Sequence, residues 1–217
     1  YPSSDAVTTP DTADSETSGY LVAPGRYSVE LVRQSHGETV VIGEAQTIEV
    51  ERLTDGALPG SPDDEVVAFW ERLASMQRQV SAASASIELT HARIARLQSA
   101  LYRTRTAPGT LDDRYEALRQ ELFAIEEALG GNQTMAGRHG AQASTVGSRL
   151  SFAQLGTGNS SYGPSPAHEA QLQMAEEEMA GIRERLANLT EAAIPAFEAD
   201  LAAVDAPWTP GTPMPPW

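Results

Sequence analysis

The sequence predicts an α+β protein, mainly α, in which a small and incomplete antiparallel β-sandwich-like unit is followed by an antiparallel three- to four-helix bundle with a long first helix. Three patterns predict it. From Ser61 to Arg105, the positions Val66, Phe69, Leu73, Met76, Val80, Ala83, Ile87, Thr90, Ile94, Leu97 and Leu101 recur at alternating intervals of three and four, the seam of a helix that packs lengthwise on others. From Tyr20 to Val50 the apolar residues alternate with period two. Helix punctuation then divides the remainder at Ala107-Pro108-Gly109, Gly130-Gly131 and Ser165-Pro166.

In order along the chain, residues 1–19 are rich in Ser, Thr and Asp, the composition of a polar linker with little to bury. The β unit spans 20–54. Pro24-Gly25 signals a turn; Tyr27, Val29 and Leu31 share one face of a first strand, and Ser35-His36-Gly37-Glu38 is a turn. Thr39 to Ile42 and Ala45 to Val50 read as two further strands. Three short strands leave an apolar face and free edges, so another polypeptide is expected to complete the unit.

The helical bundle is expected over 61–205. Ser61-Pro62-Asp63-Asp64 supplies an N-cap, a proline at the first helical position and acids at the positive end of the helix dipole. This helix, about 65 Å long at 1.5 Å per residue, should stop near Thr106. Thr110 with Asp113 resembles a capping box for a second helix, whose seam is Leu111, Tyr115, Leu118, Leu122, Ile125 and Leu129. A glycine-rich loop over 130–145 precedes a short helix from Ser144 to Leu155 that buries Val146, Leu150 and Phe152, and Gly156 to Gly163 reads as loop. Ser165-Pro166 opens the last helix, with the stripe Leu172, Met179, Ile182, Leu186, Leu189, Phe197, Leu201 and Val204; Pro195 is expected to bend or break it. The segment 206–217 holds five prolines and two tryptophans, Trp208 and Trp217, and reads as an extended strap.

Charge predicts the pairing. Residues 66–105 carry six arginines against Glu71 and Glu88, a net of +4, whereas 111–129 carry six acids and two arginines and 166–205 nine acids and two arginines. Two copies of the first helix would repel, but the acidic helices complement it, which favours an intrachain bundle over a homodimeric coiled coil.

Composition narrows function by exclusion. A net charge of -15 supplies no basic face for nucleic acid. All fifteen basic residues are arginine, which removes Schiff-base and P-loop lysines; cysteine is absent, which removes thiol nucleophiles and thiolate metal sites. No run has the length of a membrane span. The start, Tyr1-Pro2-Ser3-Ser4, is unlike a signal peptide or a translation start, so the chain is expected to begin partway through a longer product. His36, His91, His139 and His168 show no metal-site spacing, and Glu176-Glu177-Glu178 points three ways around a helix. Gly156-Thr157-Gly158-Asn159 lacks the third glycine of a nucleotide loop. Met174 and Met179 suit a core better than a ligand box. No catalytic, cofactor or metal residue is therefore assigned.

Leu21-Val22-Ala23-Pro24-Gly25-Arg26-Tyr27-Ser28-Val29-Glu30-Leu31, followed by Gln46-Thr47-Ile48-Glu49-Val50, resembles strands near the C-terminus of bacterial sortilin-like (VPS10/BNR-repeat) β-propeller proteins. Val146 to Leu150 and Ile194 to Leu201 resemble the helical region that follows a fibronectin-III-like module there. The resemblance implies an exported bacterial protein lacking, in this chain, the propellers and the first strands of its own sandwich. The expectation is a non-catalytic scaffold or accessory subunit whose partners are other proteins: the upstream propeller part of the same gene product, or a membrane-associated complex. The expected contact residues are Tyr27, Val29, Leu31, Ile48 and Val50 on the β unit and Trp208 and Trp217 as anchors. The alternatives are a supporting module of a carbohydrate-active propeller protein and a filament or surface-layer subunit.

Overall fold

The structure is a computed structural model, and it describes residues 22–52, 59–105, 108–131, 144–158, 162–210, 212 and 214. Its elements are β1 (Gly25–Ser35), β2 (Glu38–Val50), α1 (Asp63–Arg103), α2 (Gly109–Gly130), α3 (Val146–Gly158), α4 (Pro166–Asn188), a π-helical turn (Leu189–Ala193) and α5 (Ile194–Ala203). The fold is mainly helical, with one two-stranded antiparallel sheet.

The seam of α1 does what its spacing requires. Phe69, Leu73, Met76, Ala83, Ile87, Thr90, Ile94, Leu97 and Leu101 are buried, and Val66 and Val80 partly so. They meet the six expected residues of α2, all buried, together with Val146 and Leu150 of α3 and the stripe of α4 and α5. Thr90 belongs in this apolar row because its hydroxyl donates to the Ser86 carbonyl one turn back at 2.7 Å.

The ion pairs made by α1 follow the expected charge complementarity, and further pairs join the other helices to one another. Arg72 of α1 pairs with Glu169 and Glu176 of α4 at 2.8 and 2.9 Å, Arg185 of α4 with Glu121 of α2 at 2.8 Å, and Arg149 of α3 with Glu178 of α4 at 3.0 Å. His91 of α1 approaches Glu126 of α2 at 3.0 Å, and Arg114 of α2 pairs with Asp200 of α5. The carboxylate hydrogen bonds raise the pKa of Arg72, Arg93 and Arg185 above the usual guanidinium value. Most of these groups are near half exposed, so each pair contributes little stability and mainly selects which helices sit together.

Several expectations need correction. The β unit has two strands, not three: β2 runs through the anticipated break because Gly43, at φ +81°, lets the strand bulge instead of turn. Ser61 does not cap α1. Its N–H donates to the Tyr162 carbonyl at 2.8 Å and its hydroxyl to the Pro164 carbonyl at 3.4 Å, so it ties the start of α1 to the α3–α4 connection, and Pro62 takes the cap position. Thr110 lies inside α2, which begins at Gly109 behind Pro108, so no side chain caps it. Helix α1 ends at Arg103, three residues early. Gly156, Thr157 and Gly158 are helical, because the Thr157 hydroxyl satisfies itself on the Ala153 carbonyl at 2.7 Å and can be buried. Phe152 is half exposed, its ring 5.2 Å from that of His168. The cap of α4 forms as expected from Ser165, completed by His168.

Pro195 does not break the last helix. The chain passes it through the π turn, in which the Ile194 N–H donates to the carbonyl of Leu189, five residues back. A continued π pattern would have Pro195 donate to Thr190, but proline has no N–H. Arg93 of α1 fills that gap, with Nη1 3.4 Å from the Thr190 carbonyl oxygen. The same guanidinium grips Glu198 of α5 with both arms, Nε to Oε1 at 2.8 Å and Nη2 to Oε2 at 2.6 Å, and the Glu198 side chain is only 4% exposed.

Candidate interaction surface

The hairpin is where the sequence puts apolar side chains that the bundle does not bury. Its loop is His36-Gly37, with φ of 52° and 81° at the two central residues, the signature of a type I′ turn whose twist matches the strands. The turn sets the register Ser35↔Glu38, Arg33↔Val40, Leu31↔Ile42. Beyond the bulge it continues as Val29↔Gln46, Tyr27↔Ile48 and Gly25↔Val50. Residues 43–45 stand opposite Glu30 alone. Two extra residues keep the alternation in phase, so no side chain changes face.

Directly paired residues of an antiparallel ladder share a face. Tyr27, Val29, Leu31, Val40, Ile42, Ile48 and Val50 therefore share one face, on which Gln46 opposite Val29 and Arg33 opposite Val40 are polar members. The other carries Arg26, Ser28, Glu30, Gln34, Thr39, Thr47 and Glu49, interrupted only by Val32 and Val41. The five hairpin residues expected from the sequence lie together on the apolar face. Leu31 is 67% exposed and Val29 48%, while Tyr27 and Val50 are partly buried, Tyr27 being held by its hydroxyl donating to the Ala23 carbonyl at 2.6 Å. Val40 and Ile42 belong to the same face and were not singled out from the sequence; period two continued through Gly43 would have found them.

Trp208 is about half exposed, its indole N–H 3.2 Å from the Thr212 carbonyl. Trp217, the linker 1–19 and His139 lie outside the described residues.

Elsewhere the chemistry is that of a satisfied structure. A cavity of about 160 Å³ between α1 and α4 is lined by Arg72, Ser75, Met76, Gln79, Glu176, Ala180 and Arg183. It is smaller than the ~300 Å³ at which ligand pockets begin, and Arg72 within it is already committed to Glu169 and Glu176. His36 sits in the turn, His91 pairs with Glu126 and His168 caps α4. Glu176 and Glu178 are held by different arginines, and Glu177 accepts from Gln173 at 3.0 Å. Among the described residues no three His, Asp or Glu side chains are grouped to hold a metal ion, and no helix is long and apolar enough to cross a membrane.

No known protein family matches the chain, and neither a curated protein nor a solved structure is significantly similar to it.

Proposed function

We propose that this chain is a non-catalytic scaffold or accessory subunit that binds another protein through the apolar face of its hairpin. One observation carries the reading: seven apolar side chains share one face of a two-stranded ribbon, and the most central of them, Leu31, is two-thirds exposed. A lone hairpin is marginally stable in water and needs a third strand or a packed face. The helices bury their own seam almost entirely and expose apolar side chains such as Leu89, Tyr102 and Leu155 singly, whereas on the ribbon Val29, Leu31, Val40, Ile42 and Ile48 are exposed on one face. The half-exposed Trp208 is a second anchor.

A photo-crosslinking amino acid placed at Val29 in the native host tests this, with Leu89, exposed on α1, as the control position. The expected result is a discrete heterotypic adduct from position 29 and none from 89. Absence of an adduct, or equal labelling from both positions, contradicts the reading. A role as the supporting module of a carbohydrate-active propeller protein is favoured by the strand motif Leu21 to Leu31, and it predicts that the adduct is with propeller repeats.

A further inference from the structure

The type I′ turn fixes more than side-chain faces. In a two-residue hairpin the residues flanking the loop, here Ser35 and Glu38, exchange both backbone hydrogen bonds, and bonded pairs then alternate with unbonded ones. Arg33, Leu31, Val29 and Tyr27 consequently turn their N–H and C=O groups inward to β2. Gln34, Val32, Glu30, Ser28 and Arg26 turn theirs outward, away from the ladder. Along β1 this outward row is unbroken over eleven residues, with no proline and no bulge. The outer edge of β2 is different, because the bulge at Gly43 interrupts it.

The size of the apolar face says what kind of partner can use it. Eleven residues at ~3.3 Å each and two strands ~4.8 Å apart make a face of roughly 350 Å². That is less than half of the ~800 Å² per partner of a stable interface. A partner that only stacks on the face is undersized, whereas one that also continues the sheet along β1 adds main-chain hydrogen bonds and extends the face. A second copy is disfavoured, because two chains of net charge -15 repel.

We infer that the outer edge of β1 is a strand-acceptor site, which takes an alternating apolar and polar strand from another polypeptide. The inference rests on the interaction reading above and deepens it. The incoming strand lays its apolar side chains beside Tyr27, Val29 and Leu31. Its polar side chains lie beside Arg26, Ser28, Glu30 and Gln34, with Val32 among them. Its main chain pairs with the five outward residues.

The test is a titration of the full ¹⁵N-labelled chain with a ten-residue peptide of alternating valine and threonine, capped by arginines for solubility. The same peptide N-methylated throughout is the control. The expected result is that the amides of Arg26, Ser28, Glu30, Val32 and Gln34 shift and slow in exchange while those of Tyr27, Val29, Leu31 and Arg33 do not. Ser28→Pro and Val32→Pro remove outward N–H groups that the hairpin does not use; each should weaken binding at least tenfold while the Val29 and Thr47 amide signals show the hairpin still formed. No shift at millimolar peptide, or equal binding of the N-methylated control, overturns the inference. So does concentration-dependent self-association that shifts the same amides without peptide, which would make a second copy the occupant. Binding of both peptides with shifts confined to Val29, Leu31, Ile42 and Ile48 side chains overturns the edge assignment alone and leaves the apolar-face reading standing.

Discussion

Replacing Arg93 with methionine isolates the device that carries the last helix past Pro195. The substitution keeps most of the apolar stem and removes the guanidinium, so it strips Glu198 of both hydrogen bonds and leaves the Thr190 carbonyl without its donor. The Glu198 side chain is 4% exposed and that of Arg93 27%. Removing one partner of a buried pair costs about 3–5 kcal/mol, and the partial exposure of Arg93 places this one at the lower end, about 3 kcal/mol. Arg93→Met with Glu198→Leu removes the stranded charge as well and should recover at least about 2 kcal/mol of that loss, since apolar replacement of a whole buried pair is often neutral. Urea unfolding followed by helical circular dichroism measures all four corners of the cycle. A loss below about 1 kcal/mol for Arg93→Met, or a double variant as unstable as the single, would refute the argument that this pair holds the π turn against α1.

Three further outcomes follow from the geometry. A methyl group at Gly156 would collide with Nε2 of His168, so Gly156→Ala should lower stability by about 1–3 kcal/mol, and adding His168→Ala should recover part of it by vacating the space; additive losses in thermal unfolding would contradict the contact. Glu116, held by hydrogen bonds from Arg119 and Gln120, titrates at about 2 instead of 4.5, and Arg119→Gln should return it toward the ordinary value in an NMR titration. Because the folded-state pKa is the lower one, the associated stability is present above pH 4.5 and is lost as the pH falls toward 2, and full exposure keeps that contribution small. Leu73→Ala, at a fully buried seam position, should cost about 2–5 kcal/mol in urea unfolding, whereas Leu89→Ala, on the solvent side of the same helix, should cost under about 0.5 kcal/mol.

The helical part was legible in the sequence because burial there follows a long repeat. Nine of the eleven residues picked from Val66 to Leu101 are buried, and α2 offered all six of its own. Charge was legible for the same reason: Arg72 and Arg93 of α1 reach Glu169, Glu176 and Glu198 of the acidic last segment, as the arginine count on α1 implied, whereas the pair of Arg185 on α4 with Glu121 on α2 joins two helices both read as acidic. What failed was local. Ser61 and Thr110 have the right chemistry for caps, yet Pro62 and Pro108 occupy the cap positions and Ser61 is drawn to Tyr162 and Pro164, contacts 101 or more residues away in sequence that no local rule contains. Thr39 to Ile42 and Ala45 to Val50 were read as two strands and are one, because Gly43 at φ +81° bulges β2 instead of ending it. The Arg93–Glu198 pair was missed although it left a trace: Glu198 falls between Phe197 and Leu201 on an otherwise apolar stripe, and a carboxylate there needs a cation from the facing helix. The apolar face of the ribbon was legible as a face, and five of its seven residues were named, because period two survives the bulge.

The central claim is that the hairpin is an unfinished sheet beside a finished bundle. Hydrogen exchange on the isolated chain, resolved by residue, tests it most directly. The account predicts that the ladder amides of Tyr27, Val29, Leu31 and Arg33 exchange at least a hundredfold faster than those of Leu73, Ile94, Leu122 and Ile182 in the helices. Equal protection of strands and helices in the chain alone would contradict it, because a ribbon that is already stable needs nothing to cover it.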